Sequence, residues 1–242
     1  MRIVKLEKFV VHFCANCIIL GIMIMLSFGI FISASKSRFH YNDANIYYVG
    51  NMDARRITVS ISVFSGANYL EKMLDILNRF GVKTTFFITG SIATKYPDQI
   101  LKIHEGGHEI GNHGYSKTSA QVTDKAAFAG ELSTTESILF NLCKVRTEMY
   151  APPIGSPSQT VASLCKDIGY KIIMSSRDIG DLTVINESIL FERATLNIRN
   201  GDVILVHPTI STIKVLPKIL EHFSNENYDI VTISKILEPH VY

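Results

Sequence analysis

The sequence predicts an α/β fold in which parallel strands are joined by crossover helices. Two observations carry this. Apolar β-branched runs and helix-spaced apolar runs alternate about seven times between residues 57 and 234. Seven or eight such repeats in about 190 residues suit either a closed barrel or a doubly wound open sheet. In both, function sits at the C-terminal ends of the strands. Here those ends read FSGA, TGS, GNHGYSK, APPIG, SSRDIGD and VHPT.

Taken in order, ITVSISV (57–63) is β-branched and apolar, a buried strand. YLEKMLDILNRFG (69–81) spaces apolar residues as a helix does and stops at Gly81. VKTTFFITG (82–90) is the next strand, PDQILKIHEGG (97–107) a helix with a proline start, and HEIGNH (108–113) a short strand. TDKAAFAGELSTTESILFNL (123–142) is a long helix with a Thr/Asp start. RTEMYAPP (146–153) is a strand running into a proline pair, followed by a helix (156–169) and the strand YKIIMSS (170–176). A helix (186–201), the strand DVILVHP (202–208), a helix (211–224) and the strand YDIVTIS (228–234) complete the series.

Ahead of this domain lies a different kind of segment. From Phe9 to Ala34 no residue is formally charged, and its middle reads CIILGIMIMLSFGIFI. A helix of about 20 apolar residues crosses a bilayer. Residues 9–34 are therefore expected to be a transmembrane signal-anchor, with residues 1–8 cytoplasmic, 35–54 a polar stalk and 55–242 the folded domain. Arg2, Lys5 and Lys8 precede the segment against a single Glu7, which favours an N-inside orientation and puts the domain outside the cytoplasm. A cleaved signal peptide is the alternative, but its apolar region usually runs about 7–15 residues.

The formal charge of +2 drops to −2 for residues 41–242, which hold 19 basic and 21 acidic residues. No basic footprint for nucleic acid is left. Cys14 and Cys17 lie in the apolar segment as small apolar residues, and Cys143 and Cys165 are the domain's pair, too few for a disulfide scaffold. Whether they bond is open.

The strand ends together, in this order and spacing, resemble the polysaccharide deacetylases of the NodB-homology type, carbohydrate esterase family four. The resemblance covers about residues 55–237. Its best stretches are KMLDILNRFGVKTTFFITGSIATKYPDQILKIHEGGHEIGNH (72–113) and GDVILVHPTISTIKVLPKIL (201–220). It implies a NodB-type deformed (β/α) barrel of about seven repeats after one transmembrane helix. It also implies removal of acetyl groups from N-acetylated glycans. In that family a divalent metal, often zinc, is held by one Asp and two His and lowers the pKa of a bound water. A second Asp accepts that water's proton, and a late His protonates the leaving amine.

This sequence departs from that scheme motif by motif. The T-F-D-D-G motif reads Ser62-Val63-Phe64-Ser65-Gly66, so Phe64 stands at the base position and Ser65 at a ligand position. In the His-x-x-x-His motif, His113 matches the first ligand and Lys117 replaces the second. A lysine ammonium has three donors and no lone pair for a cation. The motif whose Arg orients the catalytic Asp reads Ala151-Pro152-Pro153-Ile154-Gly155. The Asp/Trp motif reads SSRDIGDL, with Asp178 and Asp181 in uncertain register, and Leu205-Val206-His207 is intact.

The resemblance thus implies a vestigial metal ligand at His113 and a vestigial acid position at His207. Lys117, Pro152, Pro153, Gly155, Asp178, Asp181 and Leu205 are expected to line the substrate pocket, and an ammonium at Lys117 to sit where a metal would. One ligand of three is too few for catalytic zinc, so no cofactor is expected unless other ligands exist. Asp178 and Asp181 read as turn carboxylates that could serve as substitutes. His108 reads as a structural residue beside two glycines. His104, His222 and His240 read as solvated. SVFSGANYL (62–70) followed by KMLDIL looks like a sporulation-associated branch. The expected partners are therefore cell-wall or spore-cortex glycan and the membrane, without nucleic acid.

Overall fold

In the computed structural model, residues 45–117 and 124–239 are described. Nine strands and eight α-helices alternate among them. Strands β1 (Ile46–Tyr47), β2 (Arg56–Val63), β3 (Thr85–Ile88), β4 (Glu109–Asn112), β5 (Met149–Tyr150), β6 (Lys171–Ile173), β7 (Arg177–Asp178), β8 (Val203–Val206) and β9 (Asp229–Ile230) are all paired in parallel. The helices are α1 (Leu70–Arg79), α2 (Gly90–Lys95), α3 (Pro97–Glu105), α4 (Lys125–Cys143), α5 (Gln159–Asp167), α6 (Glu187–Thr195), α7 (Ile210–Asn225) and α8 (Ile233–Leu237).

The sheet order is β1-β6-β5-β4-β3-β2-β8-β7, with β9 added to the start of β2. This is a curled parallel sheet. The edge strands β1 and β7 do not pair with each other, and an isolated antiparallel bridge joins Val49 to Asp202. The closed-barrel alternative is therefore not what forms.

Central strand β2 is buried along almost its whole length, as a parallel strand covered on both faces must be. Its Ile57, Val59, Ile61 and Val63 enter one core cluster with Leu70, Met73 and Leu77 of α1 and Val215, Leu216 and Ile219 of α7. A second cluster packs Phe128 and Leu132 of α4 against Tyr150, Val161, Cys165 and Ile172. Cys143 and Cys165 belong to different clusters and both are free thiols. Burial pushes the Cys165 thiol up to about 12, which makes it inert.

Helix starts follow side-chain chemistry. Asp124, Ser158, Asn186, Thr209 and Thr232 each accept a backbone N–H in the first turn of the helix they precede.

Several expected elements are corrected. The stalk reading of 35–54 fails for its last part, because Ile46–Tyr47 joins the sheet beside β6 and Gly50 N–H bonds the Gly201 carbonyl. The apolar run IYYV (46–49) is too short to show a strand period. The helix expected over 186–201 ends at Thr195, since Asn197 adopts a left-handed φ of 55°. The strand expected over 228–234 shortens to Asp229–Ile230, because Thr232 caps α8. The strand expected over 146–153 shortens to Met149–Tyr150. Helix α2 was absent from the sequence reading, being six residues long after a strand.

Residues 1–8, the apolar segment 9–34 with Cys14 and Cys17, residues 35–44 of the expected stalk and His240 lie outside the described residues. Among the described residues no helix is long and apolar enough to cross a membrane.

Candidate functional site

The C-terminal ends of β2, β4, β5, β6, β7 and β8 converge on one cavity of about 550 Å³. The sheet register explains the convergence. Ser62 lies opposite Phe87, Ile88 opposite Asn112, and Ser60 opposite Leu205, so Phe64, His113 and His207 leave adjacent strands at nearly the same level. Strand β2 also alternates Thr58, Ser60 and Ser62 with its apolar residues. That period-2 polar row turns Ser60 and Ser62 toward the cavity. This was the sequence signal for Ser62, a residue the motif comparison alone did not single out as functional.

Gly66 holds the turn after Phe64 in place. Its φ is 74°, and a Cβ there would lie 2.0 Å from the Pro208 carbonyl oxygen. Only glycine permits the β2 turn to approach the segment after His207 this closely.

His113 is almost fully buried at 1 % exposure. Its Nδ1 lies 2.6 Å from the Ala151 carbonyl oxygen and its Nε2 2.5 Å from Ser62 Oγ. A carbonyl only accepts, so Nδ1 carries the proton and donates, and Nε2 accepts the Ser62 hydroxyl. Both ring nitrogens are thereby in use. Burial, opposed by the Ala151 hydrogen bond and helped by nearby His207, lowers its pKa from 6.5 to about 3. The ring is neutral at any ordinary pH.

His108 is buried too and is held down at about 4, by burial first and by the Lys83 charge second. Its Nδ1 accepts the Thr84 N–H at 3.3 Å, and its ring meets Phe86 edge-on. It sits at the start of β4, away from the cavity, in the structural role expected of it.

For both histidines the unfolded state binds a proton at a pH where the folded state does not. Stability is therefore full above about pH 6.5 and falls as pH drops toward the folded values. For His113 alone the loss between pH 7 and pH 4 is on the order of 3 kcal/mol. Urea unfolding at the two pH values is expected to show this drop, and His113→Gln is expected to show a smaller one.

His207 and Asp181 form the second built unit. The Asp181 side chain is fully buried. Its Oδ1 accepts His207 Nδ1–H at 2.7 Å, and its Oδ2 accepts the His207 backbone N–H at 2.7 Å and the Thr212 hydroxyl. The Thr212 backbone N–H in turn donates to Thr209 Oγ1 at 3.1 Å. This corrects the reading of Asp181 as a loop carboxylate and pocket residue. It does not line the cavity but sits behind His207 and fixes its ring. Three residues after Asp178, in a turn rich in polar residues, it carried no sequence signal for this role. Asp178 does line the cavity, is exposed, and accepts the Gly180 N–H at 2.8 Å.

The Phe64 ring contacts both histidines. It stacks on His113 at 6.1 Å with planes 22° apart, and meets His207 edge-on at 5.3 Å. Lys117 Nζ lies 4.2 Å over its centroid, a cation–π contact. The Lys117 ammonium, expected to sit where a metal would, rests on the face of this ring. The ammonium caps the phenyl ring, which touches both imidazoles. Pro152, Pro153, Gly155 and Leu205 line the cavity wall, while Ser65 is exposed at the turn and lies outside it.

The residues present do not fit a zinc ion. Among the described residues no three or more His, Cys, Asp or Glu side chains are grouped to hold a metal. The donor chemistry gives the reason. His113 Nε2 is occupied by Ser62, Asp181 is spent on three donors, and the remaining ligand positions carry a serine and an ammonium.

The profile of the polysaccharide deacetylase family matches residues 52–173, half of the chain. The uncharacterised protein YlxY of Bacillus subtilis (strain 168) is 30% identical over 191 residues, which are 79% of this chain and 60% of YlxY. A peptidoglycan-N-acetylglucosamine deacetylase of Bacillus cereus (strain ATCC 14579) is 26% identical over 175 residues, 70% of this chain and 64% of that enzyme. This chain therefore spans less than two thirds of the length of either relative. Among solved structures, BA3943 of Bacillus anthracis, a CE4 family pseudoenzyme, superposes with a TM-score of 0.77 at 25% identity, over 80% of this chain and 69% of BA3943. With the curled parallel sheet and the strand-end motifs in their family places, this chain belongs to the polysaccharide deacetylase family.

Proposed function

We propose that this protein is a catalytically silent deacetylase homologue, anchored in the membrane by residues 9–34 with its domain outside the cytoplasm. There it binds cell-wall or spore-cortex glycan without cleaving it. One observation carries the proposal: the Phe64 ring, capped by Lys117, contacts both His113 and His207 and stands at the position where the family scheme needs a carboxylate base. A phenyl ring accepts no proton and ligates no cation. The cavity beside it remains open, about 550 Å³ with a wall of Pro152, Pro153 and Ile154, large enough for part of a sugar chain.

An active hydrolase using relocated ligands would draw on His113, Asp178 or Asp181, and His207. The hydrogen bonds of Asp181 and the closed imidazole of His113 weigh against it. The kinship with a peptidoglycan-N-acetylglucosamine deacetylase supports a cell-wall glycan as the ligand class.

The full chain, solubilised in detergent, is expected to cosediment with purified peptidoglycan. It is expected to release no acetate from N-acetylated glycan oligomers at any divalent metal supplied. Metal-dependent acetate release that disappears in His113→Ala overturns the proposal.

A further inference from the structure

We propose that the cavity selects a saccharide bearing a carboxylate, with Lys117 as the residue that pairs with it. This rests on the glycan-binding reading above. Lys117 is the sole lysine or arginine on the cavity wall among the described residues. Its ammonium lies over the Phe64 ring at 4.2 Å and takes part in none of the ion pairs among the described residues. The ring contact restrains where the ammonium sits without neutralising it.

The two histidines of the cavity are already committed. His113 is held neutral between Ser62 and Ala151. His207 is held by Asp181, whose carboxylate takes three donors. Among the described residues the site therefore offers a single cation outside any ion pair. A neutral N-acetylhexosamine covering Lys117 would desolvate an ammonium without giving it a counter-charge, which is unfavourable. A sugar carboxylate, as a lactyl ether or a uronic acid, supplies one and forms a charge-assisted hydrogen bond.

Asp178, exposed on the strand at the other side of the cavity, limits the charge of the occupant. A phosphodiester polymer would bring several anions against it. A single carboxylate directed to Lys117 leaves Asp178 in solvent, so the saccharide acid is the better match.

Titration calorimetry on the detergent-solubilised full chain tests this with four probes. These are an N-acetylglucosaminyl-N-acetylmuramic acid tetrasaccharide, the same molecule with its carboxyls reduced to alcohols, chitotetraose, and a short polyglycerol phosphate. The acid form is expected to bind about tenfold or more tighter than the other three, as one well-placed charge pair allows. Lys117→Met should erase that preference and Lys117→Arg should keep it, with melting temperatures lowered by no more than about 4 °C because the residue is exposed and loses only the ring contact. Equal binding of acid and reduced forms, unaffected by Lys117→Met, overturns the carboxylate inference while leaving glycan binding intact. Preferred binding of the polyphosphate also overturns it. Failure to bind any saccharide overturns the underlying reading as well.

Discussion

Asp181→Ala is expected to lower unfolding stability by about 3–5 kcal/mol, the usual cost of removing one partner from a buried charged network. Asp181 receives the His207 Nδ1–H, the His207 backbone N–H and the Thr212 hydroxyl, all in a side chain with no exposure. Alanine would leave three buried donors without an acceptor, each costing about 1–3 kcal/mol before relaxation or an admitted water offsets part of it. Asp181→Asn, which keeps the volume and one acceptor oxygen, should cost less. Urea unfolding followed by circular dichroism measures both. A loss below about 1 kcal/mol for alanine would show that water already satisfies these donors and that Asp181 does not organise the loop.

Joint replacement of Phe64→Asp, Ser65→Asp and Lys117→His should take the domain from no zinc to one zinc per chain. These changes restore at three positions what the family scheme places there, and with His113 they complete three protein ligands. The opposing terms are small. Opening the Ser62–His113 hydrogen bond costs about 1 kcal/mol, and losing the Lys117–Phe64 contact another 0.5–1 kcal/mol. Structural zinc binding is worth roughly 10–16 kcal/mol, so the balance favours occupancy. Acetate release from glycan oligomers is expected to appear with the metal. It should be weak, because Ala151 leaves the introduced base without an orienting guanidinium, and Ala151→Arg should raise it. A folded triple variant that stays free of zinc would mean that more than these side chains has been lost.

The fold was readable because its signals are long. Strand β2 and helices α1 and α7 show clear periodicities, α4 and α7 start at side-chain caps, and these elements supply most of the central core. The elements that escaped or shifted are short. Ile46–Tyr47 and Arg177–Asp178 are strands of two residues whose pairing is decided by neighbours distant in the chain, Ile172 and Ile173 for one and Ile204 and Leu205 for the other.

The site divides in the same way. Strand-end motifs located Phe64, His113, Lys117 and His207, since each follows a recognisable strand. What these residues do to one another was not readable. Nothing in the chain order says that the Phe64 ring would touch two histidines. Nor does it say that Ser62 and the Ala151 carbonyl would engage both nitrogens of His113. Asp181 shows the limit most sharply. In sequence it is one of two similar carboxylates in a turn, and only the approach of β8 to that turn separates the buried partner of His207 from exposed Asp178.

The central proposal is that this member of the family holds no catalytic metal and carries an aromatic ring under a lysine at the base position. Elemental analysis of the purified full chain, expressed with added zinc and tested alongside His113→Ala, addresses it most directly. The account predicts no stoichiometric zinc in either protein. One zinc per chain in the native protein, lost in His113→Ala, would contradict it.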